Sequence, residues 1–155
     1  MKYIWRYKTP IGHLGIAETD GAISHILFEE EKSPPEFEET ETPVIKSAAA
    51  QLMEYFDGGR KSFSFPLLIQ GTVFQKTVWN ALIDIPYGET RSYKEIAATI
   101  NKPKAVRAVG MANHCNRLPI VIPCHRVVGA DGSLTGYAGG LPVKRLLLDL
   151  ESRYV

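Results

Sequence analysis

Over residues 3–28 apolar and polar side chains alternate, the period of a half-buried strand. Three such runs, 3–8, 14–18 and 23–28, are separated by Pro10-Ile11-Gly12 and by Asp20-Gly21, a strong hairpin-turn pair. The expectation is an antiparallel meander. Residues 29–43 (EEEKSPPEFEETETP) lose the alternation, carry three prolines and read as an acidic loop or linker. From 44 to 56 the apolar positions Val44/Ile45, Ala48/Ala49, Leu52 and Tyr55/Phe56 recur at helical spacing, and Asp57-Gly58-Gly59 closes the helix. Residues 61–66 (KSFSFP) alternate again and predict one more short strand.

The second half is more helical. Residues 72–83 place Phe74, Val78 and Leu82 on one apolar stripe. After the turn Pro86-Tyr87-Gly88-Glu89, Ser92-Tyr93-Lys94-Glu95 matches a capping box and opens a helix carrying Ile96, Ala97 and Ile100. Asn101-Lys102-Pro103 breaks it, and Pro103 is expected in the first turn of the next helix, 102–114. Helix, short turn and helix, with basic residues on the second, outline a helix-turn-helix. The second helix has a surface of small residues, including Ala105, Ala108 and Gly110, around one long cation, Arg107. Small residues allow close approach to DNA, and they equally allow close helix packing; Arg107 favours the nucleic acid. Ile120-Val121-Ile122 predicts a buried strand ended by Pro123. Gly136-Tyr137-Ala138-Gly139-Gly140 is a Gly-rich loop able to lie close to a ligand, and 143–150 forms a last helix with Glu151 at its end.

The composition, 45% hydrophobic and 23% charged over 155 residues, is that of an ordinary globular protein. No apolar run reaches the length of a membrane span, and the N-terminus lacks the apolar core of a signal peptide, so the cytoplasm is expected, or the nucleus if the source has one. The net charge of +1 hides a division: residues 1–70 carry a net −4 and residues 71–155 a net +5. Within 91–126 there are seven basic residues and one acid, which points to a localised anionic partner or to a solvated basic face. The change of sign near 67–72 marks the expected boundary between domains 1–70 and 71–155.

Two cysteines, Cys115 and Cys124, are too few for a disulfide framework, so reactivity decides their fate. Cys124 is followed by His125, and a nearby imidazole lowers the cost of the thiolate. Adjacent side chains reach each other only through a bridging water or a bent backbone. A carboxylate is then wanted to hold the imidazole in one tautomer, and Glu151, Asp131 and Asp149 all qualify. A zinc site from Cys115, Cys124, His114 and His125 would lack any C-x-x-C pair.

The string 116–128, NRLPIVIPCHRVV, resembles the active-site signature of the O6-alkylguanine-DNA alkyltransferases, the methylated-DNA–protein-cysteine methyltransferases of DNA repair. The resemblance extends over TVFQKTVWNALIDIPYGETRSYKEIA (72–97), NKPKAVRAVG (101–110) and GYAGGLPVKRLLLDLE (136–151). It implies an α+β chain: an N-terminal α/β domain similar to ribonuclease H, then a helical winged-helix or helix-turn-helix DNA-binding domain. It implies single-turnover transfer of an alkyl group from O6-alkylguanine in double-stranded DNA to Cys124, with base flipping. His125 resembles the general base, Glu151 the carboxylate that orients it, and Asn116 the residue that ties in the cysteine loop. Tyr93 resembles the tyrosine that protonates guanine N3, and Arg107 the finger that fills the space of the extruded nucleotide. Tyr137, Ala138 and Gly139 resemble the loop over the pocket. Ala105, Ala108, Gly110, Arg126 and Val127 complete the expected DNA or substrate contacts.

Two departures stand out. Ala138 occupies a position where many members have serine, so a hydroxyl contact to the substrate is missing. The N-terminal zinc ligands of some members have no counterpart, with only His13 and His25 before residue 114, so no metal and no cofactor are expected. A monomer without membrane contact is expected. The rivals are a lesion-binding protein without chemistry, a plain helix-turn-helix regulator and a thiol hydrolase. Cys124 argues against the first, the Cys-His-Glu-Tyr set against the second and the basic helix against the third.

Overall fold

The computed structural model describes all 155 residues, in two compact units, Met1–Ile69 and Gln70–Val155. In the first unit the alternating runs form β1 (Lys2–Thr9), β2 (Gly12–Thr19) and β3 (Ala22–Leu27), paired antiparallel in sequence order. Asp20 and Gly21 both adopt positive φ, 51° and 88°, as a two-residue hairpin turn requires. The acidic segment expected as loop contributes a short strand, β4 (Glu38–Glu39), parallel to β1, so the sheet order is β3-β2-β1-β4. The reason lies one residue earlier: Phe37 is buried with Ile4, Ala17 and Leu27, and this anchor holds the chain along β1. Helix α1 (Pro43–Phe56), capped by the Thr42 side chain, packs on the sheet through Ile45, Ala48, Ala49, Leu52, Tyr55 and Phe56.

The strand expected at 61–66 does not form. Its alternation serves ring packing instead: Tyr55, Phe63 and Phe65 lie with centroids 5.7 and 5.8 Å apart. Only Leu67 bridges to Ile23, through Ile23 N–H to Pro66 O and Leu68 N–H to Ile23 O.

In the second unit, helix α2 (Val73–Ile83) begins with a full capping box between Thr72 and Gln75, which the sequence reading missed. It buries Val78, Trp79 and Leu82, and Trp79 Nε1–H donates to Ala112 O. The expected capping box at Ser92 and Glu95 opens helix α3 (Tyr93–Thr99) after the two-residue strand β5 (Arg91–Ser92). Asn101, at φ 60°, ends α3: its N–H bonds Ala98 O and the N–H of Lys102 bonds Ala97 O. Helix α4 (Val106–His114) packs against α2 and α3, completing the helix-turn-helix. It starts later than expected: Pro103 lies in the connecting turn, and Ala105 is an N-cap without a side-chain cap.

The apolar run 120–122 is a turn rather than a strand. Ile122 N–H bonds Leu118 O, and Ile120 takes φ 74°, a strained value for a β-branched residue. Its hydrophobicity reflects burial: Leu118, Ile120 and Ile122 are almost fully enclosed. A 3-10 turn at Cys124–Arg126 leads into β6 (Val127–Val128), parallel to β5. Helix α5 (Leu141–Arg153) packs on the 3-10 turn.

Candidate active site

Cys124 opens the 3-10 turn and is buried, with 5% of its surface exposed. Asn116 pins the loop that delivers it: Nδ2 donates to Ile122 O at 2.8 Å, and Oδ1 accepts from Leu118 N–H at 2.9 Å. Burial pushes the Cys124 thiol up to about 11, partly opposed by Asn116 and by the charge of Lys144. The resting group is therefore a thiol, and a base is needed to use it.

A candidate base is adjacent. His125 is wholly buried, and its Nε2 lies 2.6 Å from Glu151 Oε2. Burial lowers the His125 pKa, against the pull of Glu151, so the imidazole is neutral and the contact is a hydrogen bond rather than an ion pair. A carboxylate can only accept, so Nε2 carries the proton and Nδ1 keeps a lone pair. Nδ1 is buried and has no protein partner.

Of the three carboxylates that sequence reasoning left open, Glu151 occupies the site; Asp131 and Asp149 are exposed. Burial works to raise the Glu151 pKa, but hydrogen bonds from His125 and Arg126 outweigh it and hold the group at about 2. Arg126 grips both oxygens, Nε at 2.7 Å and Nη2 at 3.0 Å, and Nη1 donates to Ile85 O. This corrects the expectation for Arg126. Its guanidinium is buried and spent on a bidentate pair, so it does not face DNA. The Val127 side chain is likewise enclosed, leaving only its backbone for any contact with a substrate.

Two further residues were missed. Lys144 is fully buried on α5, its charge bears on Cys124, and burial lowers its pKa. Its signal was available: Lys144 and Glu151 are seven residues apart, two turns on one helix face. Asn113, buried on α4, places Nδ2 3.4 Å from Cys124 O, linking the second helix of the helix-turn-helix to the thiol segment.

Tyr93, first residue of α3, is half-buried, and its ring lies 3.8 Å from the position a Cβ on Gly110 would take. Arg107 and Ala108 are exposed on α4, with Ala105 and Gly110 partly so. Tyr137 is largely enclosed beneath a loop whose Ala138 is exposed and whose Gly140 takes φ 91°. Cys115 is exposed, in a shallow surface cavity lined by Gln75, Trp79 and Arg117. No three His, Cys, Asp or Glu side chains converge where a metal ion could be held, and no helix is long and apolar enough to cross a membrane.

Residues 73–153 match the family model described as 6-O-methylguanine DNA methyltransferase, DNA binding domain, and residues 2–69 match its ribonuclease-like domain. The chain is 49% identical to the constitutive methylated-DNA–protein-cysteine methyltransferase of Bacillus subtilis, covering 97% of this chain and 96% of that protein. It is 49% identical to the methylated-DNA–protein-cysteine methyltransferase of Methanosarcina barkeri over 93% of each. Among solved structures it resembles Mycobacterium tuberculosis OGT in complex with DNA, with a TM-score of 0.93 and 43% identity over 98% of this chain and 94% of that one.

Proposed function

The chain belongs to the 6-O-methylguanine DNA methyltransferase family and is a DNA-binding repair enzyme that transfers an alkyl group to a protein cysteine, and we propose that the acceptor is Sγ of Cys124. The substrate in this reading is an O6-alkylguanine flipped out of duplex DNA, because the alkyl carbon is unreachable inside the stack. One observation carries the assignment. The cysteine precedes a buried neutral histidine whose proton is fixed on Nε2 by Glu151, leaving Nδ1 as the one open base.

The Cys124 thiol gives its proton to Nδ1 across a bridging water, and the resulting imidazolium is stabilised by Glu151. The buried ammonium of Lys144 favours the thiolate electrostatically. The sulfur attacks the alkyl carbon as the C–O6 bond breaks, and the bonding electrons pass into the purine. Tyr93 donates its phenolic proton to guanine N3, so guanine leaves neutral. Proton return from His125 to the phenolate, through solvent, restores both groups. The sulfur keeps the alkyl group as a thioether, which has no easy hydrolysis, so each molecule reacts once.

Arg107, exposed in the first turn of α4, fills the space of the extruded nucleotide, while Ala105, Ala108 and Gly110 let the helix approach the minor groove. Tyr137, Ala138 and Gly139 cover the base. The protein acts as a monomer, in the cytoplasm.

The test is to mix the protein with duplex DNA carrying O6-methylguanine and weigh it. One methyl group is gained per chain, located on Cys124, and none by Cys124→Ala. Multiple turnover, or a label on Cys115, contradicts the assignment.

A further inference from the structure

Thr135 lies between the Gly132 turn and α5, exposed on the surface, and the chemistry above makes no use of it. Yet it is held at both ends. Its hydroxyl donates to Tyr93 Oη at 2.9 Å, across 42 residues of sequence. Its carbonyl accepts from Lys144 Nζ at 2.9 Å. Lys144 is the fully buried cation whose charge bears on Cys124. A surface residue is thus tied by its main chain to the charge beside the acceptor thiol, and by its side chain to the phenol.

We propose that Thr135 is a positioning residue for Tyr93, its hydroxyl holding the phenol oxygen so that the phenol proton stays free to be donated to the purine. The proposal rests on the reading of Tyr93 as proton donor. A phenol has one hydrogen, and its oxygen can also accept. When Oη accepts from Thr135, its own hydrogen is directed elsewhere. As that proton passes to guanine N3 and the C–O6 bond breaks, negative charge builds on Oη. The bond from Thr135 then becomes charge-assisted and strengthens. An interaction stronger in the transition state than in the ground state raises the rate rather than the affinity. Lys144, by fixing the Thr135 carbonyl, lowers the entropic cost of presenting a hydroxyl from an exposed loop.

The reaction is followed at saturating protein on a duplex with O6-methylguanine, with the DNA dissociation constant measured in parallel. The variants are Thr135→Val, Thr135→Ser, Tyr93→Phe and the Thr135→Val/Tyr93→Phe double. Thr135→Val is expected to slow the saturated transfer roughly 3- to 10-fold, the loss of about one hydrogen bond, with DNA affinity unchanged. Thr135→Ser, which keeps the hydroxyl, restores the rate. In the Tyr93→Phe background Thr135→Val brings no further loss. Equal rates for the Val and Ser variants, a change confined to DNA affinity, or an undiminished loss without the phenol overturn the proposal. A slow Tyr93→Phe with a fast Thr135→Val defeats the positioning role alone. A Tyr93→Phe variant as fast as wild type removes the proton-donor reading and the proposal with it.

Discussion

Cys124 answers opposed demands. Burial keeps it a thiol, at about 11, which protects it from oxidation while no lesion is bound; transfer needs the thiolate. In the proposed reaction His125 Nδ1 takes the proton and the Lys144 charge favours the thiolate, so deprotonation is a local event rather than a standing state. The cost should be measurable as stability. A thiol raised from 9.0 to about 11 binds an extra proton in the folded state between those values, so stability falls as pH rises through that window. The loss attributable to this group is at most about 3 kcal/mol. Urea unfolding of wild type and Cys124→Ala from pH 8 to pH 11 should show the slope in the first and its reduction in the second. Glu151 has the opposite sign. Held at about 2 instead of 4.5, it contributes stability that is present above 4.5 and lost as pH falls towards 2. Glu151→Gln removes that acid-side slope. It also strands the buried Arg126 guanidinium, so a loss of about 3–5 kcal/mol at neutral pH is expected in the same titration.

Helices were legible where an apolar period and a cap coincide, as at Ser92–Glu95, whose capping box opens α3 as expected. Two apolar segments misled for a shared reason: alternation at 61–66 and a run at 120–122 report burial, and neither has a neighbouring strand to pair with beyond a single bridge. Of the candidate site, Cys124 and His125 stand out from the residues themselves, because a Cys-His pair is local chain, whereas Asn116 enters only through the family resemblance. Residue chemistry alone leaves Glu151 among three carboxylates and the family resemblance is what singles it out, whereas Arg126 reads as a DNA contact because its sequence neighbours do not reveal that Glu151 and Ile85 O converge on it. α4 carries two separable properties. Gly110 sits mid-helix with room for a methyl group, since an added Cβ would meet Tyr93 at 3.8 Å, an ordinary contact. Gly110→Ala should therefore raise stability by about 0.5–1 kcal/mol through helix propensity, read by thermal unfolding. Arg107→Ala, at an exposed position, should leave stability unchanged and impair repair in duplex DNA more than reaction with the free base O6-methylguanine. Equal losses on both substrates would remove the finger role.

The net charge of +1 says nothing about DNA; its distribution does. The basic excess lies in the second unit, and Lys94, Lys102, Lys104, Arg107 and Arg117 are all exposed there, whereas Arg126 is internally paired and adds nothing to the outer field. Binding through such a surface is electrostatic and reads phosphate rather than sequence, as suits an enzyme whose lesion can occur in any sequence context. Affinity for undamaged duplex should therefore fall steeply with salt and vary little with sequence. Each lysine that contacts a phosphate contributes about 0.9 to the slope of log affinity against log salt. Lys102 and Lys104 line a surface cavity beside Ala105 at the N-terminal approach to α4, where helix and loop can both meet a phosphate. Lys102→Ala and Lys104→Ala should each reduce the slope by roughly one and weaken all duplexes alike. The transfer rate at saturating protein should be unchanged, because neither lysine touches the buried cluster around Cys124. A sequence-dependent loss, or a slower saturated rate with an unchanged salt slope, would place these lysines in recognition of the base and not in holding the backbone.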